Sequence, residues 1–414
     1  MNEPGKYIVS CNGVNIKETE RNVRYIKLNH NKEDKESYNV KIKLLKFTTG
    51  QNILSDRKRD LLEIAGYVFA TDRKCTRGSK NSVEMHSWSR TIDLHIKVRD
   101  IKFWNTEAVK KKLNEALSFM TGDKKWNFVF HQHDGDMEED LFGEESFVID
   151  SNKKIRVVLF SGGLDSLAGI IELLETTNDN LCLVSHQSGN QSVASTQNKL
   201  FEEIEKQYPN RCWHYKYKCG LTGRQSADES QRTRSFLFNS IAYTLSSTYK
   251  LNENTLFENA ITSFNFAETQ DMMNSRSSRT THPKTLGLLT ELLSQVNNEP
   301  YRIKNGYYNK SKTDVVNVLK KYDKLNLFDV AVSCSATRQH RSKHSHCGIC
   351  SQCIDRRIAV YSAGIERHDE NGLYEFDFTI EDLDSFEKRK PLSDYIHQAK
   401  IFQKKILMVF MMSL

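Results

Sequence analysis

A six-residue turn, Ser161-Gly-Gly-Leu-Asp-Ser166, holds the residues of this chain best suited to bind an anion. It follows a short apolar run, Ile155 to Phe160, typical of a buried strand, and an apolar stripe at helical spacing begins after it at Leu167. Glycines let the backbone approach a ligand closely, and free N–H groups at a helix start attract negative charge. The spacing is not that of a Walker loop. The turn therefore predicts a phosphate site of another kind, with an ordinary strand–helix turn as the alternative.

Four cysteines have the spacing of a metal site. Cys347, Cys350 and Cys353 lie three residues apart, and Cys334 lies upstream. Four thiolates suit tetrahedral zinc, and a site with four protein ligands is structural because no coordination position stays open. We expect zinc here; a set of unliganded or redox-active thiols is the alternative.

Both motifs resemble those of one enzyme group. Ser-Gly-Gly-x-Asp-Ser after a strand resembles the PP-loop of ATP pyrophosphatases, which cleave ATP to AMP and pyrophosphate. The run from Cys347 to Arg356, Cys-Gly-x-Cys-x-x-Cys-x-x-Arg, resembles the zinc signature of the QueC family, the 7-cyano-7-deazaguanine synthases. The resemblance covers residues 155–365. The long Cys334–Cys347 gap, the segment before the turn and the stretch Thr280-Thr-His-Pro283 are similar to divergent members of antiphage systems, such as the QatC type of Qat systems.

The resemblance implies an ATP-dependent ligase of bacterial antiviral defence. Such an enzyme would adenylate a 7-carboxy-7-deazaguanine-like carboxylate, release pyrophosphate and transfer the acyl group to ammonia or to an amine on a partner protein. Ser161, Asp165 and Ser166 would be catalytic, with Asp165 close to Mg²⁺. The residues expected to bind ATP are Phe160, Ser161, Gly162, Gly163, Leu164, Asp165, Ser166, Ser185, His186 and Arg234.

Five further residues are expected to contact the substrate: Glu258, Asn259, Phe264, Arg279 and His282. The amide of Asn259 could read a purine-like edge, and Phe264 could stack on the ring. A polar loop is the alternative for that segment, a helix cap for His282, and a solvated face for Arg234, whose charge is unfavourable at a helix start without an anion. Lys312 could reach the phosphates, although the pattern slightly favours a surface lysine.

Alternating strand and helix patterns from residue 155 predict a doubly wound parallel sheet, as in the adenine nucleotide alpha hydrolase-like fold, with a zinc-bearing C-terminal lobe. One of its strands is predicted at Phe328–Val332. We expect this domain at 151–365, a smaller α+β interaction domain at 1–133 and a C-terminal extension at 366–414. Residues 134–150 hold eight acidic and no basic residues, which predicts a solvated linker. A chain starting near Ser151 should then still bind ATP.

Composition favours a cytoplasmic protein. Nine cysteines, several at metal spacing, indicate a reducing compartment, and no signal peptide is visible. The apolar stretch Ile406–Met412 is too short to span a bilayer. The net charge of +7 permits an anionic partner without requiring one, so nucleic acid is not a necessary ligand and no membrane is expected.

Three other functions stay open. The chain could form 7-cyano-7-deazaguanine, or preQ0, for queuosine synthesis. It could be a tRNA-modifying PP-loop enzyme, with the basic segment 338–346 clamping RNA. It could also sense nucleotide without catalysis, although the complete turn from Ser161 to Ser166 opposes this.

Overall fold

The computed structural model describes residues 5–31, 38–46, 54–77, 89–133, 142–149, 153–187, 191–222, 231–264, 279–334 and 344–412. Within these residues the chain is a mixed α/β protein. Its strands are β1 (Lys6–Cys11), β2 (Arg24–Leu28), β3 (Val40–Lys46), β4 (Thr91–Val98), β5 (Lys125–Gln132), β6 (Phe142–Ser146), β7 (Ile155–Leu159), β8 (Asn180–His186), β9 (Cys212–Leu221), β10 (Glu253–Leu256) and β11 (Arg302–Asn305). Its α-helices are α1 (Asp56–Lys74), α2 (Ile101–Trp104), α3 (Glu107–Thr121), α4 (Leu164–Thr176), α5 (Gln191–Gln207), α6 (Arg234–Thr248), α7 (Ala260–Phe264), α8 (Pro283–Asn297), α9 (Lys312–Lys321), α10 (Leu325–Phe328), α11 (Ser351–Ala363) and α12 (Phe386–Met412).

The strands form two sheets. The smaller sheet is parallel, in the order β2-β1-β4-β5. The larger has the order β11-β10-β7-β8-β9-β3-β6, with β11 to β9 parallel and β3 antiparallel to β9. β7 is almost a continuous β-branched and leucine run because parallel strands are buried on both faces. The sequence therefore predicted the parallel sheet from residue 155 correctly.

One predicted strand is wrong. Phe328–Val332 is not a strand, because Leu325–Phe328 forms the short helix α10 and extended chain follows it from Ala331. Phe328 and Ala331 are fully buried there, and a short buried apolar run has no periodicity that separates helix from strand. The sequence analysis also missed β9, in which Tyr215, Tyr217 and Cys219 are buried at a spacing of two.

The N-terminal region shares its core with the larger sheet. Val40 pairs with Leu221 at the edge of β9, and β6 pairs with β3, so residues 142–146 of the predicted acidic linker are a strand. One cluster of buried apolar side chains joins Phe69 of α1 to residues of β7, β8 and β9. The predicted boundary at residue 133 therefore does not separate two cores. Removing residues 1–150 would expose β9 and this core, so we no longer expect a chain starting near Ser151 to stay folded.

A buried charge network also joins the two regions. Asp72 of α1 accepts hydrogen bonds from the backbone nitrogen of Thr233, at 3.0 Å, and caps the start of α6. Burial alone would raise the pKa of Asp72, but Arg90 and Arg77 lower it. Arg232 lies just before α6, and burial and the charge of Arg77 lower its pKa to about 10, while Asp72 opposes that shift.

None of the helices in the described part of the chain is both long and apolar enough to cross a membrane.

The shared core predicts cooperative unfolding. Phe69→Ala should lower the free energy of unfolding by about 3–5 kcal/mol, because it empties a fully buried site where the ring contacts His186 edge-on. Differential scanning calorimetry and denaturant titration should show one transition, shifted as a whole. Tyr308→Ala is the matched control, since that ring is 56% exposed and its loss should change stability by at most about 0.5 kcal/mol. Two transitions, of which only one moves, would contradict the shared core.

Candidate nucleotide site and metal centre

The turn at Ser161 lies where the direction of the strand order reverses. From β7 the chain proceeds to β8 and β9 on one side, and returns to β10 and β11 on the other. Ligands of open parallel sheets bind outside the carboxyl ends of the strands at such a reversal. The turn follows β7, and Glu258 and Asn259 follow β10, so the two predicted segments meet at one point.

The turn itself has an open, preorganised geometry. Gly162 has φ +83°, a conformation that favours glycine, and a Cβ there would lie 3.1 Å from Cγ of Gln197. Gly163 is the N-cap residue of α4 and brings no side-chain cap, so backbone N–H groups of the first turn stay available. The Ser161 hydroxyl lies 3.1 Å from that of Ser166 and accepts a hydrogen bond from the Gly163 nitrogen at 3.2 Å. The arrangement suits a phosphate group.

Asp165 is held by two partners distant in sequence. Lys312, the first residue of α9, forms a buried ion pair with its Oδ2. Asn259 donates to its Oδ1 from both the backbone nitrogen, at 3.2 Å, and the side-chain nitrogen, at 3.0 Å. Asn259 is fully buried, so its amide orients Asp165 in this structure. The expectation of a surface lysine at 312 is wrong, since that residue is 2% exposed.

Two more carboxylates interact electrostatically with this ion pair, and an arginine interacts with one of those carboxylates. Burial and the nearby charge of Asp165 raise the pKa of Glu258 to about 8. Burial also raises the pKa of Asp355 in α11 to about 6, opposed by Lys312. Arg234, the first residue of α6, is exposed to solvent, and the charge of Glu258 acts on it. The site thus combines acidic and basic groups around one turn, as binding of a polyphosphate with its cation requires.

Four predicted ATP-binding side chains point into the protein. Phe160 and Leu164 are 1% exposed and belong to a buried apolar cluster. The Ser185 hydroxyl donates to the carbonyl of Phe160 at 2.8 Å, and Nε2 of His186 lies 2.8 Å from the carbonyl oxygen of Cys219. These four residues could therefore contact a nucleotide only through their backbone groups.

Three predicted substrate residues, Phe264, Arg279 and His282, form a cluster with Phe119 of the N-terminal region. The Arg279 guanidinium lies 4.9 Å from the ring centre of Phe119, and the His282 ring meets the same phenyl edge-on at 5.2 Å. Phe264 contacts His282 edge-on at 6.1 Å and is 37% exposed. His282 is also the N-cap of α8, where its Nδ1 accepts from the Lys284 nitrogen. The cluster combines a guanidinium, which can pair with a carboxylate, and aromatic rings, which can pack against a planar ring.

The four cysteines form a compact cluster. All four sulfur atoms lie within 4.8 Å of one another, and the pairs 334–350 and 347–353 are 4.0 and 3.9 Å apart. Tetrahedral zinc with bonds of about 2.3 Å places its sulfurs roughly 3.8 Å apart, so the residues fit the ion. Gly348 has φ +79°, and a Cβ there would lie 1.7 Å from the carbonyl oxygen of Phe376, so this turn requires glycine.

The helix α11 connects this cluster to the turn. Cys350 is its N-cap residue, and Cys353 and Asp355 lie in its first turns, nearly opposite one another on a helix with 3.6 residues per turn. Gln352 donates to Thr262 at 3.4 Å, and Thr262 accepts in turn from the amide of Asn259 at 3.1 Å. Arg356 is fully buried and donates to Asp369 and to the carbonyl of Ala331. Hydrogen bonds through Thr262 therefore connect α11, which carries two of the four cysteines at its start, to Asn259, a partner of Asp165.

Sequence reasoning missed three residues of this site. Asp355 carries no signal beyond its position two residues after Cys353, and Gln197 lies in an ordinary amphipathic helix. Phe119 lies in a predicted helix of a region without catalytic spacing. Of the predicted basic segment 338–346, residues 338–343 lie outside the described residues; His346, its last residue, accepts from the Ser333 nitrogen at 3.3 Å.

Comparisons with known proteins do not assign a family. No family model matches the chain, and no curated protein matches it. One solved structure that aligns with it is described as "Adenylation, ketoreductase, and pseudo Asub multidomain structure of a keto acid-selecting NRPS module". The alignment has a TM-score of 0.27 and 8% identity, and covers 72% of this chain and 33% of that chain. Nothing about fold or activity is inferred from it.

The sulfur geometry predicts one zinc ion per chain. Cys350→Ser should lower the zinc content and destabilise the C-terminal lobe, because binding of a structural metal is coupled to folding. Elemental analysis of purified protein and thermal unfolding measure the two effects. Cys212→Ser is the control, since that buried thiol lies outside the cluster and should leave the zinc content unchanged. Folded wild-type protein without zinc would refute the assignment.

Proposed function

We propose that this chain is a QueC-like ATP pyrophosphatase and ligase of a bacterial antiphage system. It would activate a 7-carboxy-7-deazaguanine-like carboxylate as an acyl-adenylate and transfer it to an amine. The observation that carries the proposal is the glycine turn at the reversal of a parallel sheet, with Asp165 held by Lys312 and Asn259. The family is proposed from the spacing of the two motifs, and the geometry of the turn supports the proposal.

The proposed reaction has two steps. A carboxylate oxygen of the substrate attacks the α-phosphorus of ATP, the bond between the α-phosphorus and the bridging oxygen breaks, and pyrophosphate leaves. An amine then attacks the acyl carbon, AMP leaves, and one proton is released as the amide forms. Both steps depend on holding reactants in line and on stabilising negative charge as it develops.

The described residues suit these tasks. Backbone N–H groups from Gly163 onward would donate to phosphate oxygens, and the hydroxyls of Ser161 and Ser166 lie beside them. Arg234 is accessible at the start of α6 and could contact phosphate with its planar guanidinium. Asp165 and Glu258 offer the oxygen ligands that Mg²⁺ prefers, and the ion, when bound, would neutralise phosphate charge. The zinc would stabilise the lobe that carries α11.

The substrate would lie on the far side of α7. Asn259 before this helix binds Asp165, while Phe264 at its end contacts His282, so α7 joins the turn to the aromatic cluster. Arg279 could pair with a carboxylate, and Phe119 and Phe264 could contact a planar ring. Formation of free preQ0 and modification of tRNA remain the alternatives. A tRNA-modifying enzyme would bind tRNA with a strong dependence on salt concentration, whereas preQ0 formation would restore queuosine synthesis.

The chemistry predicts AMP and pyrophosphate as products. Wild-type protein with Mg²⁺-ATP, 7-carboxy-7-deazaguanine and ammonium should release both in equal amounts, measured by ion-exchange chromatography. Asp165→Asn should abolish turnover, and it should also lower stability because Lys312 loses its buried partner. The double variant Asp165→Asn/Lys312→Met removes both charges, so it should recover stability and remain inactive. ADP as the main product would refute the assignment.

The defence context predicts a cellular effect of the same residue. Cells that carry the wild-type operon should resist phage, whereas Asp165→Ala should abolish both protection and modification of any partner protein, because no acyl-adenylate forms. Asp382→Ala, at an exposed aspartate, is the matched control and should protect normally. Protection by Asp165→Ala equal to wild type would contradict a catalytic role. Rescue of queuosine synthesis in cells without the housekeeping synthase would instead favour preQ0 formation.

A further inference from the structure

Asp355 is a buried carboxylate with an unsatisfied oxygen. Its side chain belongs to a residue that is 4% exposed, and among the described residues its Oδ2 has no hydrogen-bond partner. An isolated buried carboxylate oxygen is costly, because the water it loses is not replaced by another donor. The charges of Lys312 and Asp165 both act on Asp355, so the ammonium of Lys312 is the candidate for the missing donor.

Lys312 is paired with one carboxylate, and a second acts on it from another helix. It extends from the first turn of α9, and α9 packs against both α4, which carries Asp165, and α11, which carries Asp355. The ammonium of Lys312 forms its ion pair with Asp165, and Asp355 is the next carboxylate whose charge acts on it.

This pairing conflicts with cation binding. A carboxylate cannot offer its oxygens fully to a divalent cation while the same carboxylate holds an ammonium. If the cation displaced Lys312, the lysine would become a buried charge without a partner, which is strongly unfavourable. A lysine has a flexible four-carbon chain, so a second carboxylate within its reach would remove that penalty.

We propose that Asp355 is a positioning residue, which accepts the Lys312 ammonium when a divalent cation that arrives with the nucleotide takes the Asp165 carboxylate. This inference rests on the proposed function, because it assumes a cation–nucleotide complex at the turn. It assigns the zinc lobe a second role, since α11 supplies the alternative partner of Lys312. It also accounts for the unsatisfied Oδ2, which this exchange would satisfy.

The test uses full-length protein with zinc content verified for every variant. Mn²⁺ binding is followed by electron paramagnetic resonance in the presence of a saturating α,β-methylene analogue of ATP. Asp355→Asn should weaken Mn²⁺ binding by about tenfold or more, because Lys312 then keeps competing for Asp165. Without nucleotide the same variant should unfold at the wild-type temperature or above, since the amide replaces an unsatisfied charge. Asp382→Asn is the control and should match wild type in both measurements.

A second experiment measures Mn²⁺ binding to Lys312→Met, and its result does not depend on whether Asp355→Asn folds. Removing the competing ammonium should tighten Mn²⁺ binding, and adding Asp355→Asn in that background should then change little. Equal weakening by Asp355→Asn with and without Lys312 would make Asp355 a direct cation ligand and overturn the exchange. Mn²⁺ affinity of Asp355→Asn within twofold of wild type would overturn it as well. A wild-type protein that binds no Mn²⁺–nucleotide complex would instead refute the proposed function itself.

Discussion

The buried ion pair between Lys312 and Asp165 is the constraint on which the candidate site depends. A lysine that is 2% exposed needs a carboxylate partner, which Asp165 of α4 supplies, and the charges of Asp355 on α11 and of Glu258 after β10 also favour the ammonium. The capping box of Ser311 and Asp314 fixes the start of α9 and hence the origin of the lysine chain. Formation of the Asp165–Lys312 pair therefore requires that α9 be packed against both α4 and α11.

The parts of the site that sequence predicted are local. The glycine turn needs only its strand and helix, and three of the four cysteines occupy seven consecutive positions. Asp165 and Lys312 are 147 residues apart, and no periodicity joins them. Asn259 was predicted to read a base, and in the structure its amide donates to Asp165, a contact that the residue type alone does not indicate. Long-range partners of this kind become visible only once the helices are packed.

In the fold, too, the elements set by local sequence could be predicted, and the pairing of elements distant in sequence could not. Apolar stripes at helical spacing predict helices at 106–120 and 283–295, and the structure has α3 and α8 within two residues of those bounds. The pairing of β3 with β9 could not be predicted, since a strand with alternating burial fits either sheet equally well. Its consequence is large: Phe69 and Phe119, both from the N-terminal region, contact His186 and His282 of the predicted site. The N-terminal region is thus placed to shape substrate binding as well as to complete the core.

The central claim is that a substrate carboxylate attacks ATP at its α-phosphorus, and oxygen labelling tests this directly. The carboxylate of 7-carboxy-7-deazaguanine would be prepared with ¹⁸O in both oxygens and incubated with protein, Mg²⁺-ATP and ammonium. Mass spectrometry of the products should find one ¹⁸O in AMP and none in pyrophosphate, because the attacking oxygen stays on the phosphorus when the amine displaces AMP. AMP without label, formed equally well when the carboxylate is omitted, would contradict adenylation and reduce the activity to hydrolysis of ATP.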